Sequence, residues 1–270
     1  MRIGLFFNSG LEASAEVADA IQSADYGNSS VIFVSGYAEC HHGDIDMAVS
    51  IGGDGTFLLT SKTIMGSGVP IFGINTGRLG FLALGEAESA VQDVKRILDG
   101  NYDTYAMVPL KGEITRGGSI IERIWALNEI MIVKNLVSRP ISLSTRIGSD
   151  DLYTFLADGV IVATSVGSTA YALSAGGPII HPDVRCTAII PVCPHSFYPR
   201  PMVAPDTETV TVTIEPSPGG AILSGDGQNN IELFTGDVVS IIPYMSRKID
   251  VIRLGTASYI DLLRNKLHWS

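Results

Sequence analysis

Residues 47–64 read MAVSIGGDGTFLLTSKTI, an apolar run followed by a glycine-rich turn and a helical pattern. This order predicts a strand, a tight turn and a helix. Glycines let a ligand approach the backbone closely, and the free amide groups at a helix start favour an anion. The turn is therefore interpreted as a phosphate-binding loop with one carboxylate, Asp54, inside it. The other predicted loop residues are Gly52, Gly53, Gly55 and Thr56.

Gly-Asp-Gly is also ordinary turn chemistry, so this segment alone leaves a simple turn as an equal alternative. The segment lacks both the dinucleotide fingerprint G-x-G-x-x-G and the Gly-Lys-Ser/Thr ending of the P-loop. A carboxylate beside phosphates repels them unless it binds a metal or accepts a proton. Phosphoryl transfer with Mg²⁺ or another divalent metal is therefore the first hypothesis.

The composition narrows the range of partners and compartments. The chain has 270 residues and a net charge of -10, without clusters of Lys or Arg, which argues against nucleic-acid binding. No apolar stretch reaches the roughly 20 residues of a membrane span, and the first residues lack a signal-peptide pattern. We expect a cytoplasmic protein with no membrane partner.

Cysteine and histidine do not form a recognisable metal motif. The three cysteines, Cys40, Cys186 and Cys193, lack C-x-x-C spacing, so neither a disulfide framework nor a zinc site is favoured. The neighbouring His41 and His42 are interpreted as part of a solvated loop. No metal-ligating residues are predicted.

The first part of the chain, residues 1–105, alternates strand and helix patterns and predicts an α/β domain with a parallel sheet. Ligands of such sheets gather beyond the carboxyl ends of the strands. The predicted strands are 3–7, 31–34, 47–51 and 70–74, and the predicted helices are 12–23, 57–64 and 86–98.

Residues 106–255 change to short β patterns separated by turn residues, which predicts an antiparallel, sandwich-like domain. The overall fold class is then α+β. Residues 256–270 contain a helical pattern at 259–267 that we expect to pack back on the first domain. The predicted strands of the second domain are 110–115, 120–133, 141–145, 160–164, 210–214 and 238–243.

Three further segments carry candidate binding residues. Residues 75–81 read NTGRLGF after a predicted strand; the alternative is a plain connection, but Arg78 there suits a phosphate in a chain poor in cations. Asn128 and Glu129 interrupt an apolar strand pattern. A buried, unpaired amide costs roughly 1–3 kcal/mol, so both need partners, either in an internal network or in a ligand such as a ribose.

The third segment, residues 158–178, reads DGVIVATSVGSTAYALSAGGP. Its small hydroxyl side chains suit an adenosine or phosphate pocket, and Tyr171 offers a stacking face. A serine hydrolase is disfavoured because G-x-S-x-G is absent. The hydroxyl residues in question are Thr164, Ser165, Ser168 and Thr169.

Together these blocks resemble the NAD kinase family. The matching motifs are GGDGT at 52–56, NTGRLGFL at 75–82, the Asn128–Glu129 pair, GSTAY at 167–171 followed by SAGGP, and more weakly DGQ at 226–228. GGDGT by itself is shared with diacylglycerol and sphingosine kinases.

The resemblance implies transfer of a terminal phosphoryl group from ATP or polyphosphate to the adenosine-ribose 2'-hydroxyl of NAD, giving NADP. It implies that Asp54 is the general base and that the protein is a homo-oligomer, a dimer or a tetramer, with pockets completed by a neighbouring subunit. The implied NAD contacts are Asp54, Gly55, Asn128, Glu129, Asp158, Thr169, Ala170, Tyr171 and Ser174, and less directly Arg139, Leu156 and Gln228.

Two other functions compete with this interpretation. A lipid kinase of the diacylglycerol or sphingosine type needs an apolar acceptor pocket, whereas the hydroxyl-rich segment suits a polar nucleoside. A non-catalytic dinucleotide sensor does not require the Asp54 carboxylate in the loop. Asp54 therefore discriminates against the sensor.

Overall fold

The computed structural model describes residues 1–27, 29–35, 44–77, 80–135, 139–195, 199–217, 220–255 and 258–269. The chain divides into two compact units, of which the first comprises Met1–Met107 and Ser246–Ser270 and the second Val108–Met245. The chain thus returns to the first unit at Ser246, ahead of residue 256, where the sequence analysis put the return.

The chain contains five helices and nineteen strands among the described residues. The helices are α1 (Glu12–Ser23), α2 (Asp54–Ile64), α3 (Ala90–Leu98), α4 (Tyr171–Ser174) and α5 (Tyr259–Leu267), with 3₁₀ turns at Ala87–Ser89, Val166–Thr169 and Met245–Arg247. The strands are β1 (Arg2–Phe7), β2 (Ile32–Ser35), β3 (Met47–Ile51), β4 (Ile71–Asn75), β5 (Gly85–Glu86), β6 (Asp103–Met107), β7 (Leu110–Arg116), β8 (Ser119–Ala126), β9 (Glu129–Lys134), β10 (Ile141–Ile147), β11 (Asp150–Ala157), β12 (Gly159–Thr164), β13 (Cys186–Val192), β14 (Met202–Pro205), β15 (Val210–Glu215), β16 (Ala221–Gly225), β17 (Gln228–Leu233), β18 (Val238–Pro243) and β19 (Ile249–Arg253).

The first unit is built on one sheet with the strand order β2-β1-β3-β4-β19-β6, and β5 pairs with β4. The pairs are parallel except β19 with β6, which is antiparallel. All residues of β3 and β4 are buried, as expected for central parallel strands covered on both faces. The carboxyl ends of these two strands lead into the glycine-rich loop and into segment 76–83.

The described residues of the second unit form two six-stranded antiparallel sheets, β11-β10-β15-β18-β7-β8 and β14-β13-β12-β9-β16-β17. The inward-facing side chains of both sheets form one apolar core, which includes Leu110, Ile132 and Val212. This is a β-sandwich, and the fold class predicted from the sequence is confirmed for both units.

One strand prediction is wrong in a way that matters for the site. The pattern at 120–133 predicts a single strand, but the structure divides it into β8 and β9, which belong to different sheets. The chain changes sheets at Leu127 and Asn128. Apolar residues continue on both sides of Asn128 and Glu129 because both strands bury one face in the same core, so the sequence pattern does not distinguish a strand break from two polar residues within one strand.

Two helices differ from their predicted bounds. α2 begins at Asp54 instead of residue 57, so that Asp54 lies in its first turn. The helix predicted over 86–98 is a short strand, a 3₁₀ turn and then α3.

In α5 the Leu263 side chain is buried and the Lys266 ammonium lies 4.9 Å from the ring centroid of Phe81. Within the described ranges, the helices all lack the length and apolar character needed to cross a membrane.

Candidate functional site

The glycine-rich loop of the first unit connects β3 to α2. The Gly52 N–H donates to the Ile74 carbonyl at 2.8 Å, which links the end of β3 to the end of β4. Gly52 has φ +153°, and a Cβ there would lie 2.5 Å from the Thr56 hydroxyl oxygen, so only glycine fits. Gly53 is the N-cap residue of α2. The first backbone N–H groups of α2 have no carbonyl partner within the helix and lie at the loop, as an anion site requires.

The Asp54 carboxylate, which is half-buried, accepts hydrogen bonds from three consecutive backbone amides. Oδ2 accepts the Phe81 N–H at 2.8 Å, and Oδ1 accepts the N–H groups of Leu82 at 3.0 Å and Ala83 at 3.3 Å. The carboxylate also lies at the positive end of the α2 dipole. Asp54 thus joins the glycine-rich loop to segment 80–83 and holds that segment in place.

Gly80 packs directly against Asp54. A Cβ on Gly80 would overlap the carboxylate, with Asp54 Cγ only 2.7 Å away, so a glycine is needed for this contact. Next to it, the Asn75 side-chain oxygen accepts the Gly77 N–H at 3.0 Å and closes the turn after β4. Arg78, which the sequence analysis included in the phosphate-donor loop, lies outside the described residues, as do His41 and His42.

In the second unit, Asn128 and Glu129 form the corner between β8 and β9. Their exposed fractions are 9% and 7%, in agreement with the expectation that neither faces open solvent. The corner is held by Asp226, whose carboxylate accepts the N–H groups of Leu127 at 2.9 Å, Asn128 at 2.8 Å and Glu129 at 3.2 Å. Of the two alternatives for this pair, an internal hydrogen-bond network or a ligand, the internal network is therefore present for the backbone N–H groups.

The side chains of Asn128 and Glu129 retain polar atoms that have no hydrogen-bond partner among the described residues. Among the described residues, none makes a hydrogen bond with the Asn128 side-chain amide, and Glu129 Oε2 is buried without a hydrogen-bond partner. Burial and, to a smaller extent, the negative charge of Asp226 raise the pKa of Glu129 to about 7, while a hydrogen bond from the Tyr171 N–H acts in the opposite direction. A ligand group is the remaining way to satisfy these buried polar atoms.

The hydroxyl-rich segment after β12 uses most of its hydroxyls internally, which corrects their interpretation as ligand donors. Thr164 Oγ1 donates to the Leu127 carbonyl at 2.7 Å and accepts the Gly167 N–H at 2.9 Å. Ser168 Oγ donates to the Ser165 carbonyl at 2.6 Å and accepts the Ile180 N–H at 3.0 Å. Each hydroxyl forms hydrogen bonds with backbone N–H and carbonyl groups of the turn. The hydroxyls thereby stabilise the turn that faces the Asn128 corner.

The turn is packed tightly on the corner. A Cβ on Gly167 would overlap the Asn128 carbonyl oxygen, so glycine is required for this approach. Tyr171, 45% exposed, donates its backbone N–H to the Glu129 carboxylate, and Ser174 is exposed on the same short helix α4. Gly225 of β16 pairs with Ile130 on one side and with Gln228 on the other, so Gln228 lies two strands from β9 at the same end of the sheet. The predicted contacts at this end of the sheet are Asn128, Glu129, Thr169, Ala170, Tyr171, Ser174 and Gln228.

The remaining predicted contacts, Arg139, Leu156 and Asp158, lie at the opposite end of the sandwich. Register places Glu129 opposite Ala163, five residues from Asp158 along β12, a distance of about 17 Å at strand spacing. Arg139 precedes β10, whose first residue Ile141 pairs with Ala157. Asp158 is itself occupied by an ion pair with Lys134 at 2.6 Å. One subunit therefore does not bring the two sets of residues around a single nucleoside.

Sequence reasoning missed the groups that hold the site together. Asp226 was included only as part of a weak motif match, although its carboxylate fixes the Asn128 corner. An Asp-Gly pair at a hairpin turn, where Asp226 has φ +51°, is a recognisable sequence signal for the turn. No local signal indicates that this side chain binds amides about a hundred residues earlier.

In the part of the chain that the structure describes, side chains able to bind a metal are not gathered in one place. Among the described residues, no three His, Cys, Asp or Glu side chains are placed to hold one metal ion. Mg²⁺ is usually bound through one or two carboxylates together with substrate phosphates and water. The donor set near the loop fits that arrangement only through Asp54, so a metal here would enter with the phosphates.

Comparisons with known proteins agree with this geometry. Residues 7–102 match the family model of the ATP-NAD kinase N-terminal domain, and residues 127–254 match that of the ATP-NAD kinase C-terminal domain. An NAD kinase of Thiobacillus denitrificans is 35% identical over 99% of this chain and 95% of its own length. An NAD kinase of Aromatoleum aromaticum is 40% identical over 83% of this chain and 74% of its own length.

Solved structures of an NAD kinase and an NADH kinase are similar in fold to this chain. The structure of an NAD kinase from Archaeoglobus fulgidus in complex with ATP superposes with a TM-score of 0.71 at 26% identity, covering 99% of this chain and 98% of that one. Yeast NADH kinase complexed with NADH has a TM-score of 0.88 at 23% identity, covering 100% and 88% of the two chains, and supports the fold. The fold and the loop define a phosphotransferase. The chain belongs to the NAD kinase family.

Proposed function

We propose that this protein transfers the terminal phosphoryl group of ATP to the 2'-hydroxyl of the adenosine ribose of NAD, giving NADP. The observation that carries the proposal is the Asp54 carboxylate, held in the first turn of α2 within a loop of open backbone amides. Family membership favours this function over a lipid kinase or a dinucleotide sensor. The ATP complex of the Archaeoglobus fulgidus relative supports ATP as the donor here.

Asp54 Oδ2 is the atom we assign as general base. A carboxylate oxygen has two lone-pair sites, and Oδ1 already accepts two N–H groups, whereas Oδ2 accepts one. The remaining site on Oδ2 accepts the proton of the 2'-hydroxyl. The ribose oxygen then bonds to the γ-phosphorus while the bond to the β–γ bridging oxygen breaks and ADP leaves.

The loop orients the donor phosphates for in-line transfer. The amides at the start of α2 and the Thr56 hydroxyl provide donors, and the helix dipole favours the negative charge. Mg²⁺ or another divalent metal is proposed as part of the donor complex, where it neutralises phosphate charge. Arg78 and the flanking glycines Gly52, Gly53 and Gly55 are the other proposed members of this donor site.

The dinucleotide is proposed to bind at the Asn128 corner. The Asn128 side-chain amide and Glu129 Oε2, which have no hydrogen-bond partner among the described residues, suit the paired hydroxyls or the base of a nucleoside, and the exposed Tyr171 ring offers a stacking surface. Buried groups that find their partners only in the ligand make binding selective, because an analogue lacking those partners leaves them unsatisfied. The further contacts proposed are Thr169, Ala170, Ser174 and Gln228.

A homo-oligomer is proposed because the second set of predicted contacts is too distant within one chain. Asp158 lies about 17 Å from Glu129 along the sheet, and Leu156 and Arg139 belong to the segments around β11 and β10 of the other sheet, near the same end as Asp158. Leu156 is 49% exposed although apolar, and a second copy of the chain would cover it. In such a dimer or tetramer, this end of one subunit completes the pocket at the corner of another.

The test is an assay of the purified protein with NAD, Mg²⁺ and either ATP, another nucleoside triphosphate or polyphosphate. NADP is detected with an NADP-specific dehydrogenase. We expect NADP with ATP. Formation with polyphosphate alone would correct the donor, and no NADP with any donor despite measurable NAD binding would contradict the proposed function and favour the sensor.

A further inference from the structure

Asp226 makes four hydrogen bonds with the backbone of residues 127–129, which form the Asn128 corner. Its two carboxylate oxygens accept three consecutive amides, those of Leu127, Asn128 and Glu129, and its own N–H donates to the Glu129 carbonyl at 3.0 Å. It does so with a left-handed backbone, φ +51°, at the turn between β16 and β17. Asp adopts this conformation in Asp-Gly hairpin turns, and the ring of four hydrogen bonds joins this turn to the backbone of residues 127–129.

This ring fixes the direction of the two side chains proposed to bind the dinucleotide. Among the described residues, none makes a hydrogen bond with the Asn128 side-chain amide or with Glu129 Oε2, and the Glu129 carboxyl accepts one hydrogen bond, from the Tyr171 N–H. The direction of the Asn128 side chain therefore depends on the backbone of residues 127–129, and that of Glu129 depends on this backbone together with Tyr171. Asp226 is the side chain that holds this backbone.

Asp226 also acts on Glu129 through its charge. The groups facing the Glu129 carboxyl are Asp226, from the β16–β17 turn, and the Tyr171 N–H, from α4. Among the described residues, none forms an ion pair with Glu129. A buried carboxyl beside a second carboxylate retains its proton more readily, because burial and like charge both oppose ionisation. Together they raise the pKa of Glu129 to about 7.

We propose that Asp226 is a positioning residue of the dinucleotide site, which orients Asn128 and Glu129 by holding the backbone of residues 127–129 and places its negative charge beside the Glu129 carboxyl. A protonated carboxyl donates a hydrogen bond as well as accepting one, whereas a carboxylate only accepts. NAD affinity should therefore be higher at pH 6 than at pH 8. This inference rests on the proposed function, and its test has a readout that is independent of turnover.

The informative variant is Asp226→Asn. It removes the negative charge, retains an oxygen for two of the amides, and turns an NH₂ group toward the third donor. Asp237→Asn is the matched control in the same unit. Asp237 is 1% exposed, accepts the Phe234 N–H at 2.9 Å and is paired with Arg116, but it lies in the turn at the other end of β17. Both variants lose hydrogen bonds, and only the first lies beside Glu129.

The first measurement is the titration of Glu129 in the ligand-free, full-length protein, followed by ¹³C NMR of labelled glutamate carboxyls and assigned with Glu129→Gln. We expect a midpoint near pH 7 in the wild type. Asp226→Asn should lower the midpoint by about half a pH unit or more, and Asp237→Asn should leave it unchanged. An unmoved midpoint in Asp226→Asn, or an equal shift in both variants, overturns the inference.

The second measurement is the dissociation constant of NAD by calorimetry at pH 6 and pH 8. Asp226→Asn should weaken binding by about tenfold and reduce its pH dependence, while the turnover number at saturating NAD changes less. An unchanged dissociation constant overturns the positioning role. Failure of the wild type to produce NADP contradicts the proposed function instead, so the two failures are distinguishable.

Discussion

Asp54 has two roles in this structure that a single substitution does not separate. Its carboxylate holds segment 80–83 through three amides, and it is the proposed base. Asn at this position retains one accepting oxygen but places a donor against the Phe81 N–H. Loss of activity in Asp54→Asn would thus combine a missing base with a disturbed loop. A variant is needed that moves the carboxylate without removing it.

Gly80→Ala is that variant. The added methyl group overlaps the Asp54 carboxylate, so the side chain must shift while remaining ionisable. We expect turnover to fall by about tenfold or more in Gly80→Ala, and by about 10²- to 10⁴-fold in Asp54→Asn. The measurement is the initial rate at saturating NAD and donor, with thermal unfolding as the check on folding.

Gly220→Ala is the control for a glycine substitution. Among the described residues, a Cβ there meets only the Asn135 Cβ, at 3.9 Å, and Gly220 is exposed, so the rate of Gly220→Ala should equal that of the wild type. Full activity in Gly80→Ala would show that the position of the carboxylate seen here is not required for transfer.

At the scale of single elements, the β8–β9 corner depends on one threonine as well as on Asp226. Thr164 Oγ1 donates to the Leu127 carbonyl and accepts the Gly167 N–H, and it is buried. Its cross-strand partner Thr187 is equally buried, but its hydroxyl has no hydrogen-bond partner among the described residues. The two threonines therefore have opposite energetic consequences.

Thr164→Val should destabilise the protein by about 1–3 kcal/mol, because it leaves a buried amide without its acceptor and a carbonyl with one partner fewer. Thr187→Val should be neutral or stabilising, since valine has nearly the same shape and removes an unsatisfied hydroxyl. The measurement is the free energy of unfolding by denaturant. Equal destabilisation by both substitutions would contradict the hydrogen-bond assignment.

These elements also show how far the sequence can predict the structure. The alternation of strands and helices in residues 1–105, and the β-rich pattern that follows, are local signals, and both were sufficient to predict the fold class. The break at Asn128 was not predictable in this way. The corner is held by Asp226, 98 residues away from Asn128 in sequence, while the local apolar pattern is interrupted by only two polar residues and continues on both sides.

In the whole molecule, too, local sequence patterns predict individual strands, whereas contacts between residues distant in sequence decide where those strands lie. β19 has the pattern of any short strand, yet it joins the first unit between β4 and β6. Its place is decided by pairing with strands far away in the sequence, which a single chain's periodicity does not reveal. Likewise, family resemblance supplied Arg139, Leu156 and Asp158 as contacts, but only the strand register shows that they lie far from Glu129.

This separation leads to a prediction about assembly. If a neighbouring subunit supplies Asp158 to the site formed at Glu129, then Glu129→Gln and Asp158→Asn each impair every site of a homodimer. A mixed dimer contains one doubly altered site and one intact site. Random mixing makes half of the dimers mixed, so about a quarter of the sites regain activity.

The experiment dissociates and reassembles equal amounts of the two variants and compares the rate with that of each variant alone. Glu129→Gln mixed with Asn128→Ala is the control, because both residues belong to one corner and no mixed dimer then has an intact site. We expect recovery in the first mixture and none in the second. Recovery in neither would mean that each chain uses Glu129 and Asp158 independently, with the dinucleotide held by one subunit alone.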